Sequence, residues 1–332
     1  MTVFPTAWRY RVESALARAV HAGVRLLPMS AVRAGGRFVG QVAYLVDRPH
    51  RRIALENVAS AFPGRPERER RALVKAAFAH FGGLLFELIK FGTWSPEQML
   101  AATETEGEER ARQAYAQGLG VLFFTGHFGY WEIHAIVHAL RMAPTSALAR
   151  PLDNVLLDSM LERIRTRTGN RVIPRQGAVR RILRELADGR GIAVLIDQHL
   201  HSSDAVYVAF FRRPAATTSA LAALALRTGA PVIPVFALPL PHGRYRLIYE
   251  PAVDPPRADT PDAVHEFTQR CTDVLEMYVR RHPELWLWMH RRWRDRDAHA
   301  PAIDDAGLEA QAGSAERMRV RDGGPHDDGT DG

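Results

Sequence analysis

Three short apolar runs constrain what this chain can fold into. They are Gly120 to Phe124, Gly191 to Ile196 and Val232 to Leu238. A strand that exposes one face alternates polar with apolar residues, whereas a run apolar throughout suits a strand covered on both faces. Helical patterns lie between the runs at about 154–168, 177–188 and 217–228. Strands alternating with helices predict an α/β domain, a mostly parallel central sheet flanked by helices whose ligands bind beyond the strand carboxyl ends. Tyr245–Glu250 reads as an edge strand after a Pro-His-Gly turn, and 261–281 as a helix that Pro261 can start.

A helical region precedes this unit. From about Ala7 to Pro28, Val12, Leu16, Ala19, Gly23 and Leu27 recur at three- and four-residue steps, while Arg11, Arg18 and Arg25 repeat every seven. Such an arginine-striped helix can lie in a membrane interface or pack as an ordinary surface helix. A second stretch, Ala31 to Leu45, precedes a basic cluster at Arg48–Arg52, and residues 65–91 form a longer helical pattern ending near Gly92. No window approaches 18 uninterrupted apolar residues, so a bilayer-spanning helix is not expected. Nor does a short apolar core precede a small-residue cleavage site, so no secretory signal is expected. Beyond Trp293 periodicity is lost, and 297–332 is predicted to be a disordered acidic tail. The implied organisation is amino-terminal helices over 1–46, an α/β domain over 47–296 and the tail.

The tail carries nine acids against three arginines, so the remaining residues hold +13 of a chain whose net charge is +7. That surplus suits anionic headgroups, phosphorylated substrates, an acidic carrier protein or nucleic acid. Of the 44 basic residues only Lys75 and Lys90 are lysines; guanidinium groups suit bidentate phosphate binding. The single cysteine, Cys271, excludes an internal disulfide and a cysteine metal cluster, and its apolar helical setting reads as packing.

The first apolar run leads into Thr125-Gly126-His127-Phe128-Gly129-Tyr130-Trp131-Glu132. In a continuous helix, five residues turn through roughly 500°, leaving the His127 and Glu132 side chains about 140° apart. With His127 in the Gly126–Gly129 loop, ahead of a helix beginning near Tyr130, both can face one pocket at the strand end. An imidazole beside a carboxylate is a general base with an orienting partner. Asp197, closing the second run, falls at the same end of the sheet and is a second candidate acid. Two other classes of function have a starting point in the sequence. Glu132, His134 and His138 offer nearby metal ligands, but His-Glu-x-x-His is absent and the neighbours Ile133 and Ile136 fit a packed helix. The charge alone suggests nucleic acid, yet no zinc-finger spacing or RNA-binding aromatic motif accompanies it.

Several blocks in order carry a resemblance: the box from His127 to Glu132, Asn57 to Pro63, Arg150 to Asn154, Asp197-Gln198, Phe210-Phe211 with Pro214 to Thr217, Arg227 to Pro231, and His290 to Trp293. Across about 10–295 the chain resembles the late acyltransferases of lipid A biosynthesis and their relatives that acylate phosphatidylinositol mannosides. The resemblance implies a glycerolipid-acyltransferase-like α/β fold on the cytoplasmic face of a bacterial inner membrane, peripheral or monotopic, with the amino-terminal helices over 1–46 as its membrane-associating segment. It implies O-acyl transfer from a thioester, of acyl carrier protein first and coenzyme A second. The acceptor is a glycolipid hydroxyl, first of a lipid A precursor and second of a mannosylated or other polar lipid. No covalent acyl-enzyme, cofactor, metal or nucleic-acid partner is expected.

It further implies that His127 takes the acceptor proton, that Glu132 orients the ring, and that Asp197 shares or completes that relay. Arg150, Asp153, Asn154, Gln198, Thr217, His290, Arg291 and Arg292 are its candidate substrate contacts. Arg150 precedes Pro151 and so favours an extended loop. Thr217 or Thr218 is read first as a helix cap, and Trp131, Phe123 and Phe124 as core. Arg212 departs from the pattern, because relatives often carry glycine or another small residue there.

Overall fold

A computed structural model describes residues 6–149, 154–174, 177–200, 205–257 and 259–293. The chain begins with five helices: α1 (Thr6–Leu26), α2 (Met29–Val46), α3 (Arg48–Ala61), α4 (Glu67–Phe91) and α5 (Pro96–Ala101). Then follow β1 (Thr103–Glu106), α6 (Glu108–Ala116), β2 (Val121–Thr125), α7 (Trp131–Arg141), β3 (Thr145–Ala149), α8 (Val155–Thr166), β4 (Arg171–Pro174), α9 (Ala178–Ala187) and β5 (Gly191–Leu195). The hairpin β6 (Ala205–Phe210) and β7 (Arg213–Thr218) leads to α10 (Ala220–Thr228), β8 (Val232–Pro239), β9 (Tyr245–Tyr249) and α11 (Ala263–Arg281).

Seven strands form one sheet in the order β1-β9-β8-β2-β5-β3-β4. Every neighbouring pair is parallel except β8 with β9. The three apolar runs are β2, β5 and β8, adjacent at the centre of this sheet. Their side chains are buried toward helices on both faces: Leu122, Phe124 and Ile192 join the larger core, while Val121 and Phe123 pack with Ala111 and Tyr249. Burying each such side chain contributes about 1.5–3 kcal/mol, which is why continuous apolar runs end here and nowhere else in the sheet.

The peripheral strands differ from what the sequence predicts. The strand at Tyr245–Tyr249 is not an edge, because β1 pairs outside it, and β1, β3 and β4 are too short or too polar to announce themselves. The Arg48–Arg52 cluster is the first turn of α3, capped by the Asp47 side chain accepting from His50 N. Asp262, rather than Pro261, caps α11 by accepting from His265 N. Of the two threonines read as a cap, Thr217 lies fully buried in β7 and caps nothing, whereas Thr218 Oγ1 accepts from Ala220 N at 3.3 Å at the start of α10. Between β6 and β7, Phe211 and Arg212 both have positive φ, 53° and 59°, making the two-residue turn that glycine or asparagine usually supplies. That is the physical reason a small residue suits position 212.

Among the described residues, α4 is the one helix long and apolar enough to cross a membrane by length and composition, and most of that stretch is buried within the fold. The predicted acidic tail lies outside the described residues.

Candidate active site

β2 ends at Thr125 and α7 begins at Trp131, so His127 sits in the connecting loop at the carboxyl end of the sheet. Two glycines make this loop possible. A Cβ on Gly126 would come within 2.9 Å of Asp197 Oδ2 and 3.0 Å of Leu275. Gly129 has φ 57°, and a Cβ there would stand 2.1 Å from the Ala237 carbonyl oxygen. The loop is also pinned from outside: Leu287 N donates to His127 O at 3.1 Å, and Gly129 N to Leu285 O at 2.9 Å.

Asp197 follows β5 and is fully buried. Its Oδ1 lies 2.8 Å from His127 Nδ1. Its Oδ2 accepts from the His127 backbone N–H at 2.7 Å and from Trp286 Nε1 at 2.9 Å. Burial alone would raise this carboxyl, but the imidazole and the donated hydrogen bonds outweigh burial and hold it well below the usual carboxylate range. Burial likewise works to lower His127, and the Asp197 charge and hydrogen bond, with Glu132 beyond them, overcome it and raise the ring above 6.5. An ionised carboxylate only accepts, so Nδ1 carries the proton shared with Asp197. Nε2 then carries the lone pair of the neutral ring. It points to the exposed Gln198 side chain, 3.4 Å away, and the ring meets Trp131 edge-on at 5.3 Å.

Glu132 does not hold the imidazole. Its buried carboxylate is gripped by the Arg165 guanidinium from α8, whose Nε donates to Oε2 at 2.9 Å and whose Nη2 binds Oε1, while Trp131 Nε1 donates at 3.2 Å. Glu132 still acts on His127 through its charge.

Arg292 and Thr217 meet inside the protein. The buried guanidinium donates to Ala216 O at 2.7 Å and Thr217 Oγ1 at 2.5 Å, and Thr217 Oγ1 donates to Ala215 O at 3.0 Å. Burial lowers this arginine to about 10. The pair braces the β6–β7 hairpin rather than opening to a ligand. The His290 ring is largely buried near Asp197, and burial outweighs that charge to push it down to about 4, so it is neutral. Arg291 is exposed. Asn154 is buried, its Nδ2 donating to Tyr10 O at 3.4 Å. Arg150 and Asp153 lie outside the described residues.

Two partners escape a sequence reading. Trp286 and Arg165 reach their carboxylates across 89 and 33 residues of chain. One is embedded in the apolar run Leu285–Met289 and the other is one of many arginines, so neither carries a local signal.

Beside Glu132 and Arg165, between α7 and the sheet, lies a mostly apolar cavity of about 90 Å3. Phe123, Phe124 and Trp131 line it, so these residues face space as well as core. At its far end His138 holds the hydroxyls of Tyr115 and Tyr249 at 3.0 and 3.1 Å, and burial keeps His134 and His138 neutral, down to about 4 and about 3. Among the described residues no three histidine, cysteine or acidic side chains converge as a metal-binding group.

Residues 4–295 match the sequence profile of the family described as bacterial lipid A biosynthesis acyltransferase. The chain is 27% identical over 278 residues to the lipid A biosynthesis lauroyltransferase of Escherichia coli K12, covering 83% of this chain and 89% of that protein. It is 26% identical over 263 residues to the lipid A biosynthesis myristoyltransferase of the same strain, covering 79% of each. A lipid A biosynthesis acyltransferase of Haemophilus influenzae is 26% identical over 253 residues, covering 75% of this chain and 77% of its own.

Proposed function

Because the chain belongs to the bacterial lipid A biosynthesis acyltransferases, we propose that it moves a fatty acyl group from an acyl carrier protein thioester to a hydroxyl of a lipid A precursor, with His127 as general base. The observation that carries this reading is the orientation of the His127 ring. Asp197 takes Nδ1 at 2.8 Å and turns Nε2 toward the exposed Gln198 side chain, 3.4 Å away, at the carboxyl end of the sheet.

In the proposed step, Nε2 accepts the proton of the acceptor hydroxyl as its oxygen attacks the thioester carbonyl. The imidazolium so formed is stabilised by Asp197, and its proton passes to the departing thiolate, so no covalent acyl-enzyme arises and no cofactor is required. Asp197 is the orienting acid. Glu132, held by Arg165, contributes charge from the second rank and shapes the mouth of the cavity, which takes the start of the acyl chain. Gln198 stands where it can contact the acceptor oxygen, and Arg291 where it can meet a phosphate. The basic folded region suits an acidic carrier protein, and the reading places the chain at the cytoplasmic face of the inner membrane.

The test is to incubate purified protein with carrier-protein thioesters of several chain lengths and a lipid A precursor, and to read product masses. A mass gain of one acyl group is the expected result. Transfer only from coenzyme A thioesters would replace the donor, and transfer only to a mannosylated lipid would replace the acceptor. Transfer to neither would overturn the reading.

A further inference from the structure

Helix α2 is built the wrong way round for a water-facing surface helix. Its buried face is a seam of small residues against α4: a Cβ on Gly36 would lie 2.8 Å from Gly82 O, one on Gly40 2.1 Å from Phe78 O, and one on Gly82 2.4 Å from Gly36 O. Backbones this close, through a Gly-x-x-x-Gly spacing, pack helices without needing apolar side chains between them, as helices in lipid do. The large apolar side chains instead point outward. Phe38, Val42, Leu45 and Val46 follow one another at helical spacing, and Phe38 and Leu45 are 67% and 65% exposed. Leu26 and Leu27 extend the patch at the α1–α2 junction, so among the described residues seven of the twelve exposed large apolar ones fall between 26 and 46.

Along the second half of α1 and the whole of α2 the charge has one sign. From Ser14 to Val46 the sequence holds no acid, and Arg18, Arg25, Arg33 and Arg37 punctuate it. Arg37 lines an open basin of about 810 Å3 with Ser30, Gln41 and His242, along the flank of the apolar stripe. At one end Lys90 docks on the Arg25 carbonyl, 2.8 Å away; at the other the exposed Arg48 follows the helix, while Asp47 faces His50 and Arg52 pairs with Glu56. Arg51 braces the α2 terminus by donating to Tyr44 O and Leu45 O at 2.6 and 3.0 Å, so these two carbonyls need no water. An apolar helix face on a helix that carries arginines and no acid complements a bilayer of anionic lipid.

We propose that the outward face of α2, around Phe38, Val42 and Leu45, is the surface that inserts into an anionic bilayer, with Arg37 and its flanking cations on the headgroups. This refines the membrane location proposed above, and its readout does not depend on acyl transfer.

Cys271 is buried, and burial pushes its thiol up to about 12, so a cysteine introduced on the surface is labelled selectively. Full-length Phe38→Cys, Leu45→Cys and, as a remote control on α9, Val179→Cys are each labelled with an environment-sensitive dye. They are then mixed with vesicles of phosphatidylcholine alone or with phosphatidylglycerol. The expected result is a blue shift at 38 and 45, quenched by nitroxide-bearing lipid, with no change at 179 and with binding at least about tenfold weaker to neutral vesicles. Unlabelled Val42→Glu/Leu45→Glu, which alters only exposed side chains, should melt like the parent and lose vesicle binding about tenfold or more. Vesicle binding without a response at 38 and 45 would overturn the proposal in favour of another docking element such as α1. A shift that grows with protein concentration in the absence of vesicles would overturn it in favour of a second copy of this chain.

Discussion

The two nitrogens of His127 have different neighbours, and that asymmetry makes testable demands. Replacing the ring by alanine removes the proposed base while the loop keeps its backbone anchors at Leu285 and Leu287. His127→Ala is therefore expected to lower turnover by about 10²–10⁴-fold with little change in melting temperature. Unchanged turnover in a clean preparation would dismiss the assignment. The pH dependence has a definite sign. The base works as the neutral ring, and the ring is raised above 6.5, so kcat/KM should climb with pH and level off above that value. In Asp197→Asn the charge that raises the ring is gone while burial, which lowers it, remains; the bend should move to lower pH on a much reduced rate. A profile whose bend stays in place would show that Asp197 does not set the ring. The same carboxylate, depressed in the fold, contributes stability at pH values above its ordinary range of about 3.8 and loses it as pH falls through the folded value, so the variant should be less sensitive to acid unfolding.

At the level of elements, the site depends on backbone clearances more than on side-chain chemistry. Gly129→Ala must place a methyl 2.1 Å from the Ala237 carbonyl at a left-handed φ, and should cost about 1–3 kcal/mol from overpacking plus about 1 from backbone strain. Chemical denaturation would measure it, and a loss under 1 kcal/mol would mean the loop can yield. Arg292→Ala removes the two hydrogen bonds that brace the hairpin and should destabilise by about 1.5–3 kcal/mol while leaving KM for the glycolipid unaltered where the variant is folded. A selective KM rise would return Arg292 to the substrate. Much of this arrangement was legible from the chain. The central strands announce themselves because burial on both faces forces unbroken apolar runs, and the two glycines flanking His127 mark a loop rather than a helix. The short outer strands were not legible, since half-covered edges tolerate sequences such as Thr103–Glu106. Nor was the division of the two acids. Spacing placed Glu132 and Asp197 at one end of the sheet, but only the partners Arg165 and Trp286, brought in from distant elements, decide which acid the imidazole faces.

Across the whole molecule, one buried carboxylate joins the amino-terminal helices to the His127 loop. Glu87 of α4 accepts from Arg33 of α2 at 3.0 and 2.6 Å, from the Tyr130 hydroxyl at 2.9 Å and from the Tyr245 hydroxyl at 2.7 Å. Tyr130 directly precedes α7, so α2, α4, β9 and the His127 loop share this acceptor. Burial works against the Arg33 charge, and the Glu87 hydrogen bond and charge more than restore it, raising the guanidinium above its ordinary value. Removing the carboxylate strands that cation, so Glu87→Ala should cost about 3–5 kcal/mol. Removing the cation instead leaves a buried carboxylate whose remaining donors are the two tyrosine hydroxyls, so Arg33→Ala should also cost about 3–5 kcal/mol. The double variant Arg33→Ala/Glu87→Gln removes the stranded charge while keeping an acceptor for both hydroxyls, and should recover part of that loss in chemical denaturation. A double variant no more stable than Arg33→Ala would mean that Arg33 contributes packing alone and that no charge couples α2 to the loop.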